Sequence, residues 1–244
     1  REEGKARKLS SLKSFYDYYF KKNLIRTNPP RQVDVPKIKN KNIIRLDPNE
    51  IAQLLDEAES GEKLSGRQLA SHEKTKVRDV AILTLLLGTG IRVSECVGLN
   101  LEDVDFNNGA IRIIRKGGNE ALIYFGDEVS QALEAYMNGP RKKDEPAAGH
   151  EEALFISLNK TRITTRSVER LVKKYSRLVT TVKKITPHKL RSTFGTALYQ
   201  ETGDIYLVAD TLGHKDVNTT KKHYAAIDEH RRRMAANVVK LRES

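Results

Sequence analysis

The chain has 244 residues, with 44 lysines and arginines against 32 aspartates and glutamates, a formal charge of +12. That length holds one large domain, or a domain and a fragment, and the basic excess favours a polyanionic partner, nucleic acid first, although charge alone leaves a basic protein without that role open. A single cysteine, Cys96, excludes an internal disulfide and suits a reducing cytosol, and no stretch approaches the ~20 apolar residues of a membrane span or carries a signal-peptide pattern.

In chain order, residues 5–25 carry Leu9, Leu12, Phe15, Tyr16, Tyr19 and Phe20 at helical spacing, so the spacing predicts a helix with an apolar face that needs partners. Asn28-Pro29-Pro30 is expected to break it. The basic, proline-containing stretch 28–44 reads as a linker. Asp47 and Pro48 look like an N-cap and first-turn proline of a helix carrying Ile51, Leu54 and Leu55. Residues 60–75 are polar, with Gly61 and Gly66, and read as an inserted loop. Val77–Leu87 reads as a buried helix containing the longest apolar run, and Gly88-Thr89-Gly90 as a turn leading to a short helix with Arg92. Cys96 lies in that apolar stretch, where packing is a better account than chemistry. Ala110–Arg115 and Ala121–Phe125 read as a hairpin turning at Gly117-Gly118. Gly139–Gly149 reads as a flexible loop. Helices are expected near 127–138, 165–181, 188–201, 204–212, 216–223 and 227–242. Together these elements predict a mainly α protein with a small antiparallel β-sheet (α+β).

Six residues stand out for chemistry: Arg92, Lys116, His188, Arg191, His214 and Tyr224. Cations gathered around one phenol are what metal-free reaction at a phosphodiester needs: arginines hold non-bridging oxygens, a tyrosine attacks phosphorus, and a cationic acid releases the alcohol. A free phenol with a pKa near 10 is only about 0.1% ionised at neutral pH, so nearby cations must favour the phenolate. Guanidinium geometry suits a phosphate where an ammonium would not. His188 precedes Arg191 by one helical turn, so both share a face. His188 and His214 can bond phosphate oxygens or accept the tyrosine's proton. For Lys116 an ordinary exposed hairpin lysine is an equally good reading of the turn alone. His72, His150 and His230 read as structural, and no Asp, Glu or His cluster has metal-ligand spacing. Arg166, Lys173, Lys174, Arg177, Lys183, Lys184, Lys221 and Lys222 can meet backbone phosphates, although a charge run is usually a solvated face. Thr164 or Thr165 would cap the helix before Arg166, a helix start that also suits phosphate.

The run RDVAILTLLLGTGIRVSECVGL, the HKLRSTFGT stretch, LGHKDVNTT and the final HY together resemble the tyrosine recombinases, the lambda-integrase type of site-specific recombinase. The resemblance covers roughly residues 45–225, and its specificity comes from four motifs in order.

The resemblance implies the catalytic fold, preceded by the last helix of a helical core-binding domain. The implied organisation is 1–27 for that helix, with the rest of its domain absent, 28–44 for the linker, 45–226 for the catalytic domain and 227–244 for a C-terminal helix exchanged between protomers. The chain, beginning at Arg1, is thus expected to be a fragment of a longer protein. The family's Gly-Lys-Gly turn favours Lys116 as the general acid for the departing 5′ oxygen, and its pattern does not make His223 catalytic. Ser192 stands where many relatives have a second histidine, Arg115 where many have glycine, and the return strand lacks the usual arginine and proline. The resemblance further implies cleavage of one strand at a time through a 3′-phosphotyrosine, two double-stranded DNA recombination sites, a homotetramer, a Holliday junction and no cofactor. An accessory DNA-bending or excision factor would fit, as would a cytoplasmic, nucleoid-associated bacterial location. The inserted loop and the hairpin departures favour integration or excision of a mobile element. The alternatives are a type IB topoisomerase and a non-catalytic DNA-binding regulator.

Overall fold

A computed structural model describes residues 2–36, 44–115, 117–214 and 217. Lys116, Lys221, Lys222, His223, Tyr224, His230 and the helices expected near 216–223 and 227–242 lie outside the described residues. The chain divides into two compact units, Arg1–Asn42 and Ile43–Ser244.

The first unit holds α1 (Glu2–Lys21) and a 3-10 turn at Pro29–Gln32. The helix stops short of the prolines expected to break it. Asn23 adopts a left-handed φ of 56°, and the Leu24 amide bonds back to the Tyr19 carbonyl at 3.0 Å, a C-terminal cap that asparagine tolerates better than most residues. Asp17 then ties the proline turn to the helix, accepting from Asn28 at 2.6 Å and pairing with Arg31 at 3.0 Å. Leu12, Phe15 and Tyr18 are each at least half exposed.

The second unit is built around α3 (Gly66–Thr89), which packs against α2 (Pro48–Ser60), α5 (Asp127–Tyr136) and α7 (Pro187–Thr202). Its second half, Ala81 to Leu86, is buried at every position, so it is surrounded on all sides and its apolar run needs no period. The start of α2 is fixed by a reciprocal cap. The Glu50 amide donates to Asp47 at 2.9 Å and the Asp47 amide to Glu50 at 2.8 Å, with Pro48 at the first turn.

Two expected loops are structured instead. Residues 66–75 are the first half of α3, and the face they bury is polar: His72, Thr75 and, beyond them, Asp79. Asp79 accepts from Thr75 at 2.9 Å, from Arg78 at 2.7 Å and from the Tyr175 hydroxyl at 3.0 Å. His72 Nδ1 lies 3.0 Å from the same hydroxyl. This network joins α3 to α6 (Thr165–Val179). Burial pushes the His72 pKa below its usual value and, with Asp79 alongside, raises that of the Tyr175 phenol. Gly139–Gly149 is likewise no loose loop. A wide π-type turn at Met137–Arg141 places Arg141 in the interior, where it donates to the carbonyls of Ala153 at 3.0 Å and Glu151 at 2.5 Å.

The sheet is antiparallel with order β1 (Val104–Asp105), β2 (Ala110–Ile114), β3 (Glu120–Tyr124). β2 pairs with β3 from Ala110 opposite Tyr124 to Ile114 opposite Glu120. Ile111 and Ile113 face the core while Arg112 and Ile114 face outward. Thr164 caps α6 by accepting from the Ser167 amide at 3.2 Å. The mainly helical fold with one small antiparallel sheet is the one expected from the pattern of elements. Among the described residues no helix is long and apolar enough to cross a membrane.

Candidate active site

α3 ends at Gly90, whose φ of +64° is left-handed and whose amide bonds to the Leu86 carbonyl at 3.1 Å. A side chain here would be strained, and its Cβ would overlap Phe194. The tight turn sends the chain through buried Ile91 into Arg92, the N-cap of α4 (Val93–Gly98). Glu95, on the first turn of α4, holds Arg92 twice: its carboxylate accepts from the Arg92 amide at 2.6 Å and from Nη1 at 2.7 Å. Glu95 is buried, so the guanidinium compensates a carboxylate that would otherwise be costly to bury. The other terminal nitrogen, Nη2, donates to the Gly213 carbonyl at 3.2 Å.

Arg191 lies on α7 and is buried. Its Nη1 donates to the Gly90 carbonyl at 2.5 Å and its Nη2 to the Leu212 carbonyl. The two arginines thus meet on neighbouring carbonyls of the turn that follows α8 (Ile205–Thr211). That turn is closed by the His214 amide donating to Ala209 at 2.8 Å and by Gly213 at a φ of +59°. Carbonyls at a helix C-terminus lack partners and carry the negative end of the helix dipole, so guanidinium groups suit them. Residues separated by more than a hundred positions are brought together, and His214 lies at the end of the segment both arginines grip.

His188 is in the first turn of α7, one turn before Arg191. It is exposed, yet its pKa is lowered by partial desolvation first and then by the charges of Lys189 and Arg191. A neutral imidazole is therefore favoured there at neutral pH. Ser192, in place of a further histidine, turns back on its own helix and donates to the His188 carbonyl at 3.0 Å. Thr193 accepts from the Leu46 amide at 3.0 Å, fastening the segment before α2 to α7.

The expected phosphate-contacting residues divide. Arg166, Lys173, Arg177 and Lys184 are exposed, and the last three line a groove of about 750 Å³ between the end of α6 and the start of α7. Lys174 and Lys183 are half-buried and already engaged by neighbouring side chains. Lys174 donates to the Tyr175 hydroxyl at 3.0 Å, and burial pulls its pKa down. Lys183 is clasped by Glu50 at 2.5 Å. Neither partner was visible in the local sequence, because each lies on a distant element or depends on which face is buried. Arg115 was also missed as a participant: its Nη2 reaches the Asp210 and Thr211 carbonyls at 3.4 and 3.3 Å. Cys96 is buried, its thiol pushed up to about 12 by desolvation. Among the described residues no three His, Cys, Asp or Glu side chains gather as metal ligands would.

Residues 44–231 match the model of the phage integrase family. The chain belongs to the phage integrase family. This integrase-family chain is 37% identical over 218 residues to tyrosine recombinase XerC of Thermodesulfovibrio yellowstonii, covering 88% of this chain and 69% of that protein. It is 35% identical over 223 residues to tyrosine recombinase XerC of Syntrophus aciditrophicus, covering 90% and 68%. It is also similar to the solved integrase of transposon Tn1549 in complex with circular intermediate DNA, with a TM-score of 0.68 and 25% identity over 93% of this chain and 77% of that one. The XerA recombinase shares the fold with a TM-score of 0.67 at 24% identity, covering 97% and 77%. The chain thus carries the catalytic fold of a tyrosine-type site-specific DNA recombinase.

Proposed function

We propose that the chain cuts and rejoins DNA at specific sites by transesterification through Tyr224. The phenol oxygen forms a bond to phosphorus, the bond from phosphorus to the 5′ oxygen breaks, and the DNA is left as a 3′-phosphotyrosine with a free 5′ hydroxyl. Arg92 and Arg191 hold the non-bridging oxygens, where developing charge is greatest. His188 and His214 bond the same phosphate, and a neutral imidazole takes the phenol's proton. Lys116 gives a proton to the 5′ oxygen. Attack by the 5′ hydroxyl of a partner duplex reverses the step, so the phosphodiester's energy is retained and no cofactor is needed. The observation that carries this reading is the convergence of Arg92 and Arg191 on the Leu212–Gly213 carbonyls beside His214. Two guanidinium groups fixed by separate elements make a seat for a tetrahedral anion.

In the same reading residues 1–27 are the last helix of a core-binding domain, 28–44 a linker, 45–226 the catalytic domain, and 227–244 a helix that docks on a neighbouring protomer of a tetramer. Arg166, Lys173, Lys184, Lys221 and Lys222 meet the DNA backbone, and the protein works in the bacterial cytoplasm on the nucleoid. Of the two reasons for favouring a mobile element, the inserted loop is gone, since 66–75 is helix. The hairpin departures remain, and the likeness to a transposon integrase adds to them. A topoisomerase reseals the strand it cut, and a regulator cuts nothing, so exchange between two labelled duplexes separates all three.

The direct test is Tyr224→Phe on a nicked suicide substrate. Only the attacking oxygen is lost. DNA binding should persist while the covalent protein–DNA band disappears from a denaturing gel. A normal band from the variant would remove Tyr224 as nucleophile.

A further inference from the structure

Arg115 stands at the end of β2, where the resemblance leads one to expect glycine. The Arg115 amide donates to the Asn119 carbonyl at 2.8 Å, and the Gly118 amide returns to the Arg115 carbonyl at 3.0 Å, so residues 115 and 119 close the hairpin. Lys116 is the next residue in the chain. The Arg115 side chain leaves the hairpin altogether. It reaches the last turn of α8, where Nη2 lies 3.4 Å from the Asp210 carbonyl and 3.3 Å from that of Thr211. These are long hydrogen bonds, but the packing around them is close. Nε is buried without a hydrogen-bond partner, and a Cβ at Gly213 would overlap the guanidinium. Gly213 thus leaves the room that Arg115 fills, besides providing the left-handed φ of +59° that the turn needs.

Three arginines therefore end on successive carbonyls of one turn: Arg115 on 210 and 211, Arg191 on 212, Arg92 on 213. We infer that Arg115 is a positioning residue that ties the β2–β3 hairpin to the turn bearing His214, so that the hairpin lysine and the phosphate-holding arginines share one support. A long lysine at a glycine turn has many conformations, and a tether at the adjoining residue removes some of them before DNA arrives. The carbonyls are the right anchor because they orient a guanidinium without cancelling its charge, leaving the local field favourable to a phosphate. The role of Arg115 in the reaction rests on the assignment of Lys116 as general acid. The tether itself does not.

The test compares Arg115→Ala, Arg115→Lys and Lys116→Ala with the unaltered protein. Amide hydrogen exchange reads the tether in the DNA-free protein. Arg115→Ala should speed exchange across residues 112–120 by about threefold or more while α3 is unchanged. Unchanged hairpin exchange overturns the inference whatever Lys116 does. Single-turnover cleavage reads the consequence. Arg115→Ala should cleave an ordinary phosphodiester roughly tenfold more slowly, and a substrate with a 5′-bridging sulfur, whose leaving group needs no proton, within about twofold of normal. Arg115→Lys should recover part of the loss, because an ammonium can still donate to one of the two carbonyls. Equal losses on both substrates would make Arg115 a direct phosphate ligand and overturn the positioning role. If Lys116→Ala is not relieved by sulfur, the general-acid assignment falls, and the exchange result alone decides the tether.

Discussion

Two clusters of arginine and polar groups sit at opposite functional extremes of the same catalytic unit. Between α3 and α6, Arg78 faces the Asp79 carboxylate at 2.7 Å, and Asp79 also collects Thr75 and Tyr175. Around the end of α8, Arg191 and Arg115 donate to main-chain carbonyls, and Arg92 divides itself between Glu95 and the Gly213 carbonyl. A carboxylate offsets the charge of the cation it holds, as Glu95 does in part for Arg92. A carbonyl aims the cation and leaves its charge available. The first arrangement serves cohesion and the second suits the anion-holding role proposed for these arginines, and burial alone does not tell them apart, since Asp79 and Arg191 are both buried.

The sharpest way to break this contrast is to remove the anion of the first cluster. Asp79→Ala leaves Arg78 without its carboxylate and takes from the Tyr175 hydroxyl its charged acceptor. It should cost about 3–5 kcal/mol of stability, as broken buried pairs do. Chemical denaturation should show the loss, while the cleavage rate per folded molecule stays near normal. Stability within ~1 kcal/mol of the unaltered protein would mean that the cluster is no structural keystone.

Next in size is the second cluster. Arg191→Ala and Arg92→Ala should each cost on the order of 3 kcal/mol of transition-state stabilisation, about a hundredfold in cleavage rate, with far weaker effects on DNA affinity. Gel shift and single-turnover cleavage on the same preparation check this. Losses of equal size in binding and cleavage would turn the arginine into a DNA-positioning group and erase the distinction between the clusters.

The smallest effect separates the clusters by pH. His72 has a folded pKa below that of the unfolded chain, so the unfolded state binds the extra proton first. Stability is then complete above the unfolded value, near 6.5, and declines as pH falls below it towards the folded value. His72→Gln should flatten that part of the stability curve, read as melting temperature between pH 7.5 and 5. An unchanged slope would assign the acid sensitivity to another group.

The parts legible in the sequence were those whose signal is local. Gly88-Thr89-Gly90 marks a helix end, Asp47-Pro48 marks a start, and the alternation at Ala110–Ile114 marks a strand, all within a few residues of what they specify. Arg92, directly behind the Gly-Thr-Gly turn, was legible for the same reason. The first half of α3 was not, because its buried face is written in His72, Thr75 and Asp79. His72 and Thr75 fall in the polar stretch 60–75 that reads as an inserted loop, until α6 brings Tyr175 to meet His72 and Asp79. β1 is only Val104–Asp105, too short for a period to register. The engagement of Lys183 with Glu50 and of Arg115 with α8 depends on contacts between distant segments, which no spacing in the chain encodes.

Cys96 gives the molecule an experimental convenience. It is the chain's one cysteine, it is fully enclosed, and burial pushes its thiol up to about 12, so very little of the reactive thiolate is present at neutral pH. Maleimide and iodoacetamide dyes should therefore pass the folded protein by. A cysteine introduced on the hairpin or the α6 surface can be labelled alone, with Cys96 left in place. Distances between dyes on two such molecules would then report in real time whether they gather on DNA, as the proposed tetramer requires.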